Sequence, residues 1–199
     1  SGIKPKKEAT ILQAGGIQQF LRLPNDTPVM GDCGAFQFVA EDDPPYTSEE
    51  LCDYYVRLGF DFGITLDHLI LEFDPSYDEG HSLFRAEPTE KMQHRYRISI
   101  DNAKEMLRLV RNKNLSFTPV GSVQGWSPDS YHAAATELIE AGFDYIALGG
   151  LARASNNDII PTLQRLTPLL KESGGEGPFS RGGPAQYTRC FYGVRDHFL

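Results

Sequence analysis

Two stretches of this chain share one grammar. Leu58-Gly-Phe-Asp-Phe-Gly-Ile-Thr-Leu66 and Ala141-Gly-Phe-Asp-Tyr-Ile-Ala-Leu148 each close a helical pattern on glycine and open a buried strand on Phe-Asp. Repeated strand–helix units with such short turns imply a parallel sheet with right-handed crossovers. The fold class is therefore α/β. The spacing predicts strands over 27–32, 60–66, 115–123, 143–148 and 189–194. Between them it predicts helices beginning at Thr47-Ser48-Glu-Glu50 and ending at Gly59, spanning 90–112, capped at Ser127-Pro128-Asp129 and ending at Gly142, and spanning 156–171. Hydroxyl caps, first-turn acids, Pro at the first helical position and a terminal glycine mark these ends.

A closed eight-fold barrel of such units usually takes about 250 residues. This chain has 199. The reading is a TIM (β/α)8-type barrel that is incomplete or truncated towards its C-terminus, forming a single barrel-type domain over 1–199. The stretches 72–89 and 173–188 have poor periodicity and are longer than most connections. With 40% hydrophobic residues the chain can bury a sizeable core.

Composition excludes several classes. No run approaches the roughly 20 apolar residues of a membrane span, and no signal peptide is expected. Cys33, Cys52 and Cys190 form no CxxC or Cys/His cluster, so neither metal nor disulfide framework is expected. A cytoplasmic location is the natural reading. The net charge of −8 argues against a whole-surface electrostatic grip on nucleic acid. Arg95-Tyr-Arg97 and Arg108/Arg111/Lys113 are candidates for a local basic stripe, but read better as a solvated helix face.

In folds of this class ligands bind at the C-terminal ends of strands. Four such ends carry polar or glycine-exposed groups. Asp32 follows an apolar strand and precedes Gly34; it is a candidate acid, base, nucleophile or acceptor, or a cap on the next turn. Phe36 is either core or a face for a ring to stack on. Asp67 ends a buried run and needs a partner. His68 is a candidate base or a locally bonded ring, with no second His at metal spacing. Gln124 offers a donor and an acceptor. Gly149-Gly150 leaves backbone N–H groups open to a ligand carbonyl. This inventory suits the edge and face of guanine, and an enzyme working on a base in nucleic acid must unstack it to read it so.

Gly31-Asp-Cys-Gly-Ala-Phe-Gln37 resembles the Asp-Ser-Gly-Gly-Phe/Tyr-Gln motif of tRNA-guanine transglycosylases. Leu66-Asp67, Val123-Gln-Gly125 and Leu148-Gly-Gly-Leu-Ala152 resemble that family's Leu-Asp-Glu, Gln-Gly and Gly-Gly-Leu-Ala segments, in order, and Gly193-Val194 resembles its next strand end. The Gly-Asp-x-Gly-Ala-Phe form and the Asp-His pair look most like the DNA-modifying DpdA branch. The resemblance implies a cofactor-free pentosyltransferase that exchanges guanine for a 7-deazaguanine in nucleic acid, DNA rather than tRNA. It implies Asp32 at the reacting base, Phe36 stacked on it, and Asp67, His68, Gln124, Gly149, Gly150 and Leu151 binding it.

Three departures accompany the likeness. The family's nucleophilic Asp lies on a strand beyond the Gly-Val segment, and Asp196 is too close to that segment to stand in for it. The tRNA enzymes' zinc cluster is absent. Arg153-Ala-Ser155 stands where the bacterial tRNA enzymes place a Glu tied to an aminomethyl base, which points to 7-cyano-7-deazaguanine or a relative. The alternatives are a non-catalytic base-binding or partner subunit of a transglycosylase complex, or a tRNA enzyme proper. A homo-oligomer or protein partner is compatible with either. An aldolase-type barrel would want a Schiff-base lysine at a strand end, and none stands there.

Overall fold

The computed structural model describes residues 5–78, 87–151, 154–172 and 189–192. Ala152, Arg153, Gly193-Val194, Asp196 and the stretch 173–188 lie outside them. Five parallel strands form one sheet, β1 (Met30–Gly31), β2 (Phe62–Ile64), β3 (Thr118–Val123), β4 (Tyr145–Leu148) and β5 (Arg189–Tyr192), in the order β1-β2-β3-β4-β5. The fold is α/β with the parallel arrangement read from the repeated grammar, and it is compatible with a barrel-type fold. Among the described residues the sheet is not seen to close.

Helix α3 (Ser48–Leu58) links β1 to β2, α4 (Glu90–Lys113) links β2 to β3, and α5 (Pro128–Ala141) links β3 to β4. Helix α6 (Asn156–Glu172) follows β4, and two short N-terminal helices, α1 (Pro5–Gln13) and α2 (Ile17–Phe20), precede β1. The ends are set by local chemistry. The Thr47 hydroxyl accepts the Glu50 N–H while Glu50 accepts the Thr47 N–H, and Ser127 and Ser130 make the same reciprocal box. Gly59 and Gly142 close α3 and α5 in the left-handed conformation that favours glycine, at φ 79° and 100°.

The Asp of the Phe-Asp grammar has a job at β2. The Asp61 carboxylate accepts the Val29 N–H at 2.7 Å and so fastens the start of β1 to its neighbour. The clamp adds to backbone pairing, since the Val29 carbonyl accepts the Asp61 N–H at 2.9 Å; β1 itself, Met30–Gly31, is shorter than the 27–32 expected. Gly31 and Gly63 face each other in the register, and Tyr55 of α3 packs over both, its hydroxyl donating to the Ile64 carbonyl at 2.9 Å.

The core lies in two clusters. One gathers Ile11, Ile17, Leu51, Tyr55, Leu58 and Phe117 around β1 and β2; the other gathers Ile100, Ala103, Tyr131, Leu138, Ile146 and Leu166 around β3 and β4. Each fully buried leucine or isoleucine contributes about 1.5–3 kcal/mol. The basic residues at the end of α4 form the expected solvated face: Arg108 pairs with Glu105, and Lys113 with Glu49. Arg95 departs from it. It is only 5% exposed, because α4 turns it in under the strand ends. Among the described residues no helix is long and apolar enough to cross a membrane.

Candidate functional site

At the C-terminal ends of β1, β2 and β3 a closed set of polar side chains centres on Asp67. Cys33 donates its thiol to Asp67 Oδ1 at 2.8 Å. Ser122 donates its hydroxyl to Oδ2 at 2.6 Å, and Gln124 donates its amide to the same oxygen at 2.5 Å. Asp67, Ser122, Gln124 and Cys33 are all buried. A buried carboxylate needs such donors, since charge-assisted hydrogen bonds offset the loss of water.

Gln124 is held at its other end too, its Oε1 accepting the Ile70 N–H at 3.3 Å. Strand alternation explains the grouping. Thr65 and Asp67, like Ser122 and Gln124, stand two apart and so share a side of the sheet. Thr65 Oγ1 accepts the Ser122 N–H at 2.8 Å, one step below the Asp67 cluster.

Gly149 and Gly150 roof this cluster. A Cβ at Gly149 would collide with the Gln124 amide and stand 3.2 Å from Asp67 Oδ2. Gly150 has φ +75°, a left-handed conformation, and a Cβ there would lie 2.7 Å from the Ile70 carbonyl. The expectation that both glycines offer open N–H groups is corrected for Gly149, whose N–H is taken by the sheet. The Gly149 N–H donates to the Val123 carbonyl at 2.9 Å, continuing the ladder, and its own carbonyl accepts the Tyr131 hydroxyl at 2.6 Å. Leu151 is buried behind them, at 2% exposure.

Asp32 and Phe36 stand at the rim. Asp32 Oδ2 accepts the Gly34 N–H at 3.3 Å, so the turn-capping role is real. Its side chain reaches solvent yet is crowded by protein. That crowding, and next the charge of Asp67, push its carboxyl above the ordinary range, against the pull of the Gly34 and Cys33 backbone. Phe36, three residues after Cys33, is 51% exposed, an aromatic face left uncovered. Tyr46 donates its hydroxyl to the Cys33 carbonyl and steadies the rim from the loop before α3. Burial, and then the nearby carboxylates, raise the Cys33 thiol far above its usual range, so it stays a donor.

His68 stands apart from the Asp67 cluster. It is fully buried, with Nε2 3.0 Å from the Glu41 carbonyl and its ring edge-on to Phe38. Burial, then the charge of Arg95, lowers its pKa, so at neutral pH the ring is neutral and Nε2 carries the proton that faces the carbonyl.

A cavity of about 660 Å³ is bounded by residues of α1, α2, β1 and α3. It reaches Asp32, Cys33, Gly34 and Tyr46 at one end but not Asp67 or Gln124. The polar cluster and the cavity thus meet along the Asp32–Gly34 segment and at Tyr46. Among the described residues no group of three or more His, Cys, Asp or Glu could hold a metal ion.

Cys33, Ser122, Tyr46 and Tyr131 belong to the site but were not singled out from the sequence. Cys33 lies inside the Gly31–Gln37 motif, and Ser122 precedes Gln124 by two, so both signals were there to read.

No protein-family model matches the chain. The chain is similar to a DNA-guanine transglycosylase of Salmonella montevideo, with 35% identity over 156 residues, 78% of this chain and 36% of that protein. The chain therefore spans about a third of the length of the curated relative it matches. This likeness supports kinship with guanine transglycosylases.

Proposed function

We propose that this chain carries the base-reading part of a guanine transglycosylase, which exchanges guanine for 7-cyano-7-deazaguanine or a relative in DNA. The observation that carries the reading is the Asp67 cluster. A carboxylate, an amide and two glycines from three consecutive strand ends are held together, and Cys33, bonded to that carboxylate, is followed three residues later by an uncovered phenylalanine.

Guanine presents adjacent N1–H and 2-amino donors and a carbonyl. Asp67 accepts the donors, and Gln124 with the Gly150-Leu151 backbone serves the carbonyl. The three donors now on Asp67 stand where base donors would, so a bound base takes over bonds that Cys33 and Gln124 make without it. Phe36 stacks on the flat face, as unstacked bases require. The likeness to a protein named for DNA and guanine supports DNA as the substrate. The Arg153-Ala-Ser155 segment supports the cyano base.

The chemistry is a double displacement. A carboxylate attacks the sugar carbon as the bond to guanine breaks; the incoming base then attacks that carbon and frees the carboxylate. Asp32, with its raised carboxyl, suits proton transfer at the departing or incoming base better than nucleophilic attack. A second reading keeps the same base contacts without turnover: a base-binding or partner subunit of a transglycosylase complex.

One experiment separates these. Labelled guanine is incubated with the protein and DNA or tRNA, and guanine binding is followed by calorimetry. Label entering DNA supports the enzyme, and label entering tRNA alone moves the substrate. Binding without exchange leaves the subunit, and no binding at all overturns the base-reading assignment.

A further inference from the structure

The rim and the floor of the site belong to different segments. Asp32 and Phe36 follow β1, whereas Asp67 follows β2. The ladder joining those strands is two pairs long, Met30 with Phe62 and Gly31 with Gly63. Phe36 lies several residues beyond it. So short a ladder does not by itself fix where Phe36 stands relative to Asp67.

Arg95 of α4 does. It is 5% exposed, and every hydrogen bond of its guanidinium runs to a backbone carbonyl. Nη1 donates to Leu69 at 2.8 Å, and Nη2 donates to Val39 at 2.5 Å and to Glu41 at 3.3 Å. Leu69 is on the Asp67 segment; Val39 and Glu41 are on the Phe36 segment. His68 adds a second tie to Glu41 at 3.0 Å and packs edge-on against Phe38. The His68 N–H donates to Ser99 Oγ at 2.9 Å, and that hydroxyl donates to the Arg95 carbonyl at 2.7 Å. One guanidinium and one imidazole therefore clasp two strand ends to one helix.

The choice of residue is informative. A buried cation with no carboxylate bonded to it is costly, and an apolar side chain of similar volume would fill the space without that cost. What arginine adds is a rigid planar fork that reaches several carbonyls at fixed angles, which lysine does not.

We propose that Arg95, seconded by His68, is a positioning residue of the base site, setting the stacking face of Phe36 against the hydrogen-bonding edge of Asp67. Its functional half rests on the base-reading assignment; its conformational half does not.

Two readouts on Arg95→Met, Arg95→Lys and His68→Leu test it: amide hydrogen exchange and guanine affinity. In Arg95→Met, amides of 33–41 exchange about tenfold or more faster, while those of β3 and α5 keep their protection. Guanine binding weakens about tenfold or more. Arg95→Lys falls between, and His68→Leu shows the same pattern more weakly, whereas His68→Gln, which keeps an N–H for Glu41, restores it.

Unchanged exchange at 33–41 overturns the clasp, as does equal acceleration across β3 and α5. Faster exchange with undiminished guanine affinity overturns the positioning role. Should Arg95→Met not fold, His68→Leu decides by the same two readouts. If the unaltered protein binds no guanine, it is the base-reading assignment that falls, and exchange alone decides the clasp.

Discussion

Gln124 and Asp67 hold each other across the ends of β3 and β2, amide nitrogen to carboxylate oxygen at 2.5 Å, and the Gly149 backbone rests against both. Asp67 satisfies a buried amide that would otherwise lack a partner, and Gln124 joins Ser122 as a second donor to the same carboxylate oxygen. The pair also leaves no room above itself, and that makes the adjoining glycine a sensitive position.

Gly149→Ala forces its new methyl into the Gln124 amide, which is hydrogen-bonded at both ends and can move aside only by breaking those bonds. The expected loss of stability is about 2 kcal/mol, read from urea unfolding, because overpacking a closed site displaces its neighbours. Guanine affinity falls with it. A variant as stable as the unaltered protein would show that Gln124 has another place to go.

Phe36→Ala separates stability from binding. The ring is 51% exposed. Its removal is expected to change unfolding free energy by no more than about 0.5 kcal/mol, as surface substitutions do. Stacking of a base on an aromatic side chain contributes about 1–3 kcal/mol, so guanine binding should weaken by that amount in calorimetry. Loss of stability with intact binding would return Phe36 to the core.

Asp32→Asn is expected to raise Tm at neutral pH. The folded-state carboxyl titrates above its ordinary value of 3.8, through crowding and then Asp67. The unfolded chain gives up this proton more readily, so ionisation of Asp32 withdraws stability as pH rises through that window. The advantage of the Asn variant should shrink as pH is lowered towards 3.8, and calorimetric scans across this range check it. A variant that melts below the unaltered protein at pH 7 would refute the assignment.

His68 gives the opposite slope. Its folded pKa lies below 6.5 because of burial and then Arg95; Lys91 lowers it further, whereas the Glu41 carbonyl and Asp67 work against them. The unfolded chain takes up the proton first on acidification. Stability from this group is present above about pH 6.5 and is lost as pH falls towards the depressed value. Urea midpoints should drop between about pH 7.5 and 5.5, and His68→Gln should flatten that drop. Equal slopes for the two proteins would remove His68 as the cause.

Most of the frame was legible because it is written locally. Thr47, Ser127, Gly59 and Gly142 mark helix ends through contacts within a few residues. Asp67 and Gln124 were legible as strand-end polar groups. What escaped was non-local. Arg95 shares a helix with exposed Arg97, and only carbonyls 26, 54 and 56 residues away bury it. The tie of the Asp61 side chain to the Val29 N–H spans 32 residues. Helices α1 and α2 were missed because their anchors, Ile11 and Ile17, are sparse in a polar stretch, and α1 finds its neighbours on α2 and α3.

The sheet's spatial order is its chain order, each strand lying beside the one made just before it. A chain leaving the ribosome can therefore lay down this layer by accretion, one strand and one helix at a time, with no strand waiting for a distant partner. Because Asp67 is supplied before Ser122 and Gln124, the carboxylate waits for two of its hydrogen-bond donors until the third strand arrives. Maturation of the pocket, rather than of the scaffold, is then the late event in the birth of the protein.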